Sequence, residues 1–277
     1  MQEVEIRDVW AHNLEEELAY IRKLVLDYPM VAMDTEFPGV VARPLGPFKT
    51  QTDFHYQTLR VNVDLLRIIQ LGLTFSDKEG RLPNGPASWQ FHFQFSLADD
   101  MSAPDSIELL TRAGIDFDQN LHHGIECQYF GEVLMTSGIV LNDQVRWISF
   151  HSGYDFGYIL KLLTCQPLPP TEGEFHDLLK TYFPCVYDIK YLMRSCKNLR
   201  GGLNDLADDL QVPRIGPQHQ AGSDSLLTLQ SFFRMKSSFF DEHIDDDKYL
   251  GILYGLGPNY NPSFAASTQT NFPYYNG

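Results

Sequence analysis

Cysteine is scarce in this chain and follows no pattern: Cys127, Cys165, Cys185 and Cys196 are the four among 277 residues, and no two form a C-x-x-C pair. That spacing argues against a zinc site built on cysteine pairs and against a disulfide framework, and fits a reducing compartment. Also missing is any uncharged run of about 18 apolar residues, the length a membrane helix needs. The opening Met-Gln-Glu-Val-Glu-Ile-Arg-Asp holds no apolar core of a secretory signal. A soluble, intracellular protein is the expectation. Positive charge is the third shortage: 21 Lys and Arg face 36 Asp and Glu, for a formal charge of -15 and a pI near 4.9. A surface of that sign does not grip nucleic acid by bulk electrostatics, so a polyanionic substrate would have to meet local cations. Part of the acidic excess sits in one patch, Asp241-Glu-His-Ile-Asp-Asp-Asp247, which reads as a solvated helix end or a partner-facing surface.

Apolar residues, in contrast, are plentiful. With 43% hydrophobic and 13% aromatic residues the chain can bury a substantial core without staples. Leu14, Leu18, Ile21 and Val25 follow a helical stripe, started by a capping-box-like Asn13 and Glu16 and stopped by Pro29. A buried strand through Val31, Ala32 and Met33 comes next, then a loop marked by Pro44, Gly46 and Pro47 and a short helix from Tyr56 to Val63. The apolar, branched stretch from Leu65 to Phe75 predicts a strand, and Ser88 to Phe95 predicts a half-buried one, because its aromatic and polar residues alternate strictly. Helices are predicted over 104–112 and 124–137, and a strand over 146–151 turns into a helix over 152–163. Further helices are predicted over 175–183, 203–210 and 223–240, the last capped by Ser223, while 186–193 reads as a strand or a helix start. The polar, proline-containing stretch 258–277 predicts a flexible tail. This order of elements gives an α/β domain with a central mixed sheet, whose sites form beyond the carboxyl ends of its strands.

Two carboxylates close the apolar strand in Val31-Ala-Met-Asp-Thr-Glu-Phe-Pro-Gly. Residues two apart on a strand share a face, so Asp34 and Glu36 project side by side. Their repulsion calls for a shared proton, a cationic partner or a divalent metal, and oxygen-rich sites suit magnesium or manganese. The same Asp-x-Glu spacing at Asp77 and Glu79 lies in a polar, glycine-ended turn and carries no such implication. Asp155, at a strand-to-helix junction, and Asp224, in the first turn of the 223–240 helix, bring further carboxylate to the same region. His219 lies five residues before Asp224 in a glycine-flanked loop, and a neutral imidazole there suits general-base work. Phe37 directly follows Glu36, and Lys190, Arg194, Lys197 and Arg200 form a local basic run in an otherwise acidic chain.

Four segments together carry a resemblance: Asp-Thr-Glu-Phe-Pro-Gly, Phe-His-Ser-Gly-Tyr-Asp-Phe-Gly-Tyr, Tyr-Asp-Ile-Lys-Tyr-Leu-Met and Gly-Pro-Gln-His-Gln-Ala-Gly-Ser-Asp-Ser-Leu-Leu-Thr. They resemble the Caf/Pop deadenylases, catalytic subunits of the Ccr-Not complex in the DEDD exonuclease superfamily, over about Val9 to Gly257. The resemblance implies an RNase H-like fold, one exonuclease domain over residues 1–257, and 3′-5′ removal of poly(A) from mRNA with release of 5′-AMP. It implies that Asp34, Glu36, Asp155 and Asp224 hold two Mg2+ or Mn2+ ions, that His219 is the general base, and that Asp188 is a supporting residue. With RNA the implied substrate, Phe37 is placed to stack on its terminal base or to join the core, and Lys190, Arg194, Lys197 and Arg200 read equally as RNA contacts or as a solvated face. Poly(A) RNA, the Not scaffold, other Ccr-Not subunits and Tob/BTG-type proteins are the implied partners, in the cytoplasm and nucleus. Two rival readings remain: a DEDD exonuclease acting on other nucleic-acid 3′ ends, and a subunit whose value is docking.

Overall fold

A computed structural model describes residues 4–257. The stretch 258–277, expected to be a flexible tail, lies outside the described residues. In chain order the elements are β1 (Ile6–Val9), α1 (Leu14–Leu24), β2 (Met30–Glu36), α2 (Gln51–Leu65), β3 (Gln70–Ser76) and β4 (Ser88–His92). Then follow α3 (Pro104–Arg112), α4 (Phe117–His123), α5 (Cys127–Met135), β5 (Arg146–Ser149), α6 (Gly153–Thr164) and α7 (Glu172–Tyr182). The chain continues through β6 (Val186–Asp188), α8 (Ile189–Leu192), α9 (Leu203–Asp209), α10 (Ala221–Phe239) and α11 (Asp246–Tyr249).

The strands form one six-stranded sheet in the order β1-β4-β3-β2-β5-β6. β2 is antiparallel to β3 and parallel to β5, and β5 is parallel to β6. The carboxyl ends of β2, β5 and β6 therefore share one edge, which delivers Glu36, the turn into α6, and Asp188 to the same place. Side chains alternate across β2 as a strand requires. Val31 and Met33 enter a core built with α1, α2, α5, α6 and α7, while Met30 and Ala32 enter a second core built with α9 and α10. Helices thus cover both faces, and the strand is buried except at Asp34, which is half-buried.

Several elements depart from the sequence expectations, each for a local reason. The strand predicted from Leu65 begins only at Gln70, because α2 runs on to Leu65 and its last turn is held by Lys161, whose Nζ donates to the carbonyls of Val63, Asp64 and Leu66 at 2.8, 3.1 and 3.1 Å. β4 is buried on both faces rather than half-buried, since α10 lies over Ser88 and Gln90. Asn13 does not cap α1: its Oδ1 accepts from the Trp10 amide at 2.8 Å instead. Ser223 is an interior residue of α10, not its cap, and its Oγ donates to the Ile215 carbonyl at 2.8 Å. The 186–193 segment is both of its predicted alternatives, a strand that passes directly into a short helix at Asp188.

Candidate active site

Asp34 and Glu36 continue the face of β2 that looks toward α10. Their register partners on β3 are Gly72 and Gln70. Gly72 is what lets the helix approach: a Cβ there would overlap the carbonyl of Ala221, the first residue of α10. With that approach, Asp224 in the first turn of α10 meets the strand acids, and Asp34, Glu36 and Asp224 each offer a carboxylate oxygen within 4.8 Å of the others. Asp155 arrives from the opposite layer in the first turn of α6. Its Oδ1 accepts a 2.6 Å hydrogen bond from Thr35 Oγ1, the residue between the two strand acids and on the other face. Asp155 stands outside the tight three-acid cluster, yet its charge still raises the pKa values of Asp34 and Glu36.

The electrostatics are those of anions without enough cation. Burial, and then the charges of Asp224 and Asp155, push Asp34 and Glu36 well above the usual carboxylate range. Burial drives Asp155 up to about 7. Asp224 is also raised by burial, despite a 2.7 Å ion pair with Arg214 and a hydrogen bond from the His219 backbone. Arg214 gives the sequence no signal: its Nη2 and Nε hold Asn204 Oδ1 at 2.6 and 3.1 Å and its Nη1 donates to Ser223 Oγ at 3.0 Å, pairs that only folding creates. A dense, oxygen-only, charge-frustrated cluster of this kind fits hard divalent cations. His219 sits beside it with a left-handed backbone (φ 59°), and burial lowers its pKa, so the ring is neutral at pH 7.

Asp188 is 1% exposed and accepts four backbone amides: His151 and Lys190 at Oδ1 (both 2.9 Å), and Tyr254 (2.9 Å) and Ser152 (3.4 Å) at Oδ2. It ties the β5–α6 turn, which leads to Asp155, to the start of α8. Phe37 is 6% exposed, its ring stacked on Tyr154 at 5.1 Å and tilted against Tyr158 at 5.2 Å within the core. Of the two roles expected for Phe37, its ring takes the core contact. Lys197 and Arg200 are exposed on the segment between α8 and α9, whereas Lys190 Nζ turns back to the Gly201 carbonyl and lies 5.5 Å from the Phe150 ring centroid.

The chain matches the CAF1 family ribonuclease over residues 9–132 and 139–232. It belongs to that family. A probable CCR4-associated factor 1 homolog 7 of Arabidopsis thaliana is 56% identical over 260 residues, covering 92% of this chain and 94% of the relative. The poly(A) ribonuclease pop2 of Schizosaccharomyces pombe is 58% identical over 252 residues, 91% of this chain and 75% of that protein. The solved S. pombe Pop2p in its Mg2+- and Mn2+-bound form superposes with a TM-score of 0.89 over 91% of this chain and 99% of its own. Yeast CAF1 co-crystallized with the NOT1 MIF4G domain matches at a TM-score of 0.76 and 36% identity, covering 90% of this chain and 96% of that one. Exonuclease I, at 13% identity and a TM-score of 0.54 over 77% of this chain and 42% of its own, shares the fold alone, the RNase H-like mixed sheet.

Proposed function

We propose that this ribonuclease is a deadenylase: it removes nucleotides from the 3′ end of mRNA poly(A) tails by phosphodiester hydrolysis, releasing 5′-AMP, as a subunit of the Ccr-Not complex. The observation that carries the reading is the convergence of Asp34, Glu36 and Asp224 within 4.8 Å in a chain 58% identical to a poly(A) ribonuclease. Asp34, Glu36 and Asp224, with Asp155 at their edge, would hold two Mg2+ or Mn2+ ions. Bound there, the ions would supply Lewis acidity to the scissile phosphate and to the attacking water. Their charge would also reconcile a chain of net charge -15 with a polyanionic substrate.

The protein's own groups divide the remaining work. Thr35 orients the Asp155 carboxylate, and Arg214 steadies Asp224 while adding positive charge to the cluster. His219, neutral at pH 7, takes the proton of the attacking water at a ring nitrogen. Lys197 and Arg200, exposed beyond the carboxyl end of β6, would meet the RNA backbone. The same likeness that supports the catalytic reading supports docking on a Not1-type scaffold, as recorded for yeast CAF1. Tob/BTG-type partners, and action in both cytoplasm and nucleus, belong to the proposal as well; pull-down and cell fractionation would check them.

A 5′-labelled RNA with a 3′ oligo(A) tail tests the catalytic reading directly. The tail should shorten from its 3′ end in Mg2+ or Mn2+, stop in EDTA, and stay intact with Asp34→Ala. A folded wild-type protein that cleaves in no divalent metal would leave docking as the function. Shortening that runs through non-A sequence at the same rate would favour an exonuclease of broader substrate range.

A further inference from the structure

α10 begins without a cap of its own. Its N-cap residue, Gln220, makes no side-chain bond to the helix, and Ser223 is turned away toward Ile215 and Arg214. The first amides of a helix have no intrahelical acceptor, and an end buried without partners is costly. Here the partners come from the sheet beneath. Gln70 Oε1 on β3 accepts from the Ala221 amide at 3.2 Å, and Gln90 Oε1 on β4 accepts from the Gly222 amide at 2.9 Å.

Each carboxamide has one possible orientation, since only its oxygen can accept from a backbone N–H. The Nε2 atoms of Gln70 and Gln90 then both donate to Gln220 Oε1, at 3.0 and 2.9 Å, and Gln220 Nε2 donates to the Ala113 carbonyl at 3.0 Å. Gln70 Nε2 also faces His92 Nδ1 at 3.3 Å, which makes His92 Nε2 the protonated nitrogen that donates to Asp8 Oδ1 at 2.7 Å. The three glutamines and His92 are buried, and the network ends at the exposed carboxylate of Asp8, which also accepts from Gln90 Nε2 at 3.2 Å. The network also shares rungs of the sheet with the strand acids: Asp34 pairs with Gly72, which pairs with Gln90, and Glu36 pairs with Gln70, which pairs with His92.

We propose that Gln70 and Gln90 are positioning residues for the active site: their side-chain carbonyls cap α10 from the sheet and so set where Asp224 stands relative to Asp34 and Glu36. The caps and the strand acids are fixed to the same two rungs, so the helix start and the cluster are held in one frame. The inference rests on the reading of Asp224 as a metal ligand.

Gln70→Met and Gln90→Met keep side-chain length and remove the acceptor. Each should raise the Mn2+ concentration that half-saturates oligo(A) shortening by about tenfold, the scale seen when a group orienting a ligand is removed. Direct Mn2+ titration by electron paramagnetic resonance should move in parallel, while the KM for RNA at saturating Mn2+ stays within about twofold. A role confined to stability would lower the melting temperature and leave the Mn2+ midpoint of the folded protein unmoved, which overturns the proposal. Should either variant fail to fold, wild-type protein decides: the Ala221 and Gly222 amides should exchange with deuterium far more slowly than uncapped first-turn amides, and fast exchange at both overturns it. Asp224→Ala separates the two layers of argument. If that variant keeps wild-type Mn2+ affinity and activity, the ligand reading fails; if it loses both while the glutamine variants match wild type, only the positioning role fails.

Discussion

Arg214 and Asp224 form a 2.7 Å ion pair at the start of α10, and that guanidinium supplies the positive charge facing a cluster in which every carboxylate is raised. Arg214→Met should therefore destabilise the metal-free protein by about 2 kcal/mol, the scale of a lost charge-assisted hydrogen bond. Added Mn2+ should recover most of the difference by replacing the missing charge. Thermal melts of both proteins in EDTA and in Mn2+ measure this; an equal gap in the two conditions would contradict it.

Gly72→Ala tests the close approach of α10 to β3. The added methyl would overlap the Ala221 carbonyl, and backbone cannot rotate away as a side-chain tip can. The expected cost is about 3 kcal/mol of stability from overpacking. Activity should fall by more than tenfold even in the folded fraction, because displacing α10 moves Asp224 off the strand acids. Chemical denaturation beside the oligo(A) assay gives both numbers.

Stability of the metal-free protein should fall as pH rises through neutrality. Asp155, pushed up to about 7 by burial, keeps a proton in the folded chain that the unfolded chain releases near 3.8. The folded state thus binds more protons, and unfolding becomes easier as that proton is lost. Between about pH 7 and 8 unfolded histidines are mostly neutral, so the raised acids dominate, and Asp155 should contribute roughly half a kcal/mol or less over that unit. Asp155→Asn should flatten the dependence, and Mn2+ should reverse it by binding the deprotonated site. Urea melts across this range in EDTA provide the check.

Asp188→Ala leaves the amides of His151, Ser152, Lys190 and Tyr254 without their acceptor. A loss of about 3 kcal/mol is expected. Asp188→Asn keeps one carbonyl oxygen and should fall between wild type and alanine. Activity should drop in the same order, since the β5–α6 turn that these bonds hold leads into Asp155. Reversed order of the two variants in urea melts would refute the account.

The sequence by itself determined those features that depend on neighbours along the chain. Asp34 and Glu36 share a face because a strand repeats every two residues, and Asp155 and Asp224 fall in first turns because the apolar stripes after them begin there. The four-segment resemblance carried the family and the fold, and the match to the CAF1 family ribonuclease bears it out. Periodicity says which residues share a face, not what lies across from it. The polar face of β4 read as solvated because nothing in Ser88 and Gln90 announces that α10, more than a hundred residues later, covers them, nor in His92 that the Trp10 ring stacks on it. Phe37 stood equally for a base platform or a core ring until Tyr154 and Tyr158 were brought against it. Arg214 beside Asp224, Thr35 on Asp155 and the glutamine caps of α10 exist only once the sheet has closed under the helix, because each joins groups that no spacing rule connects.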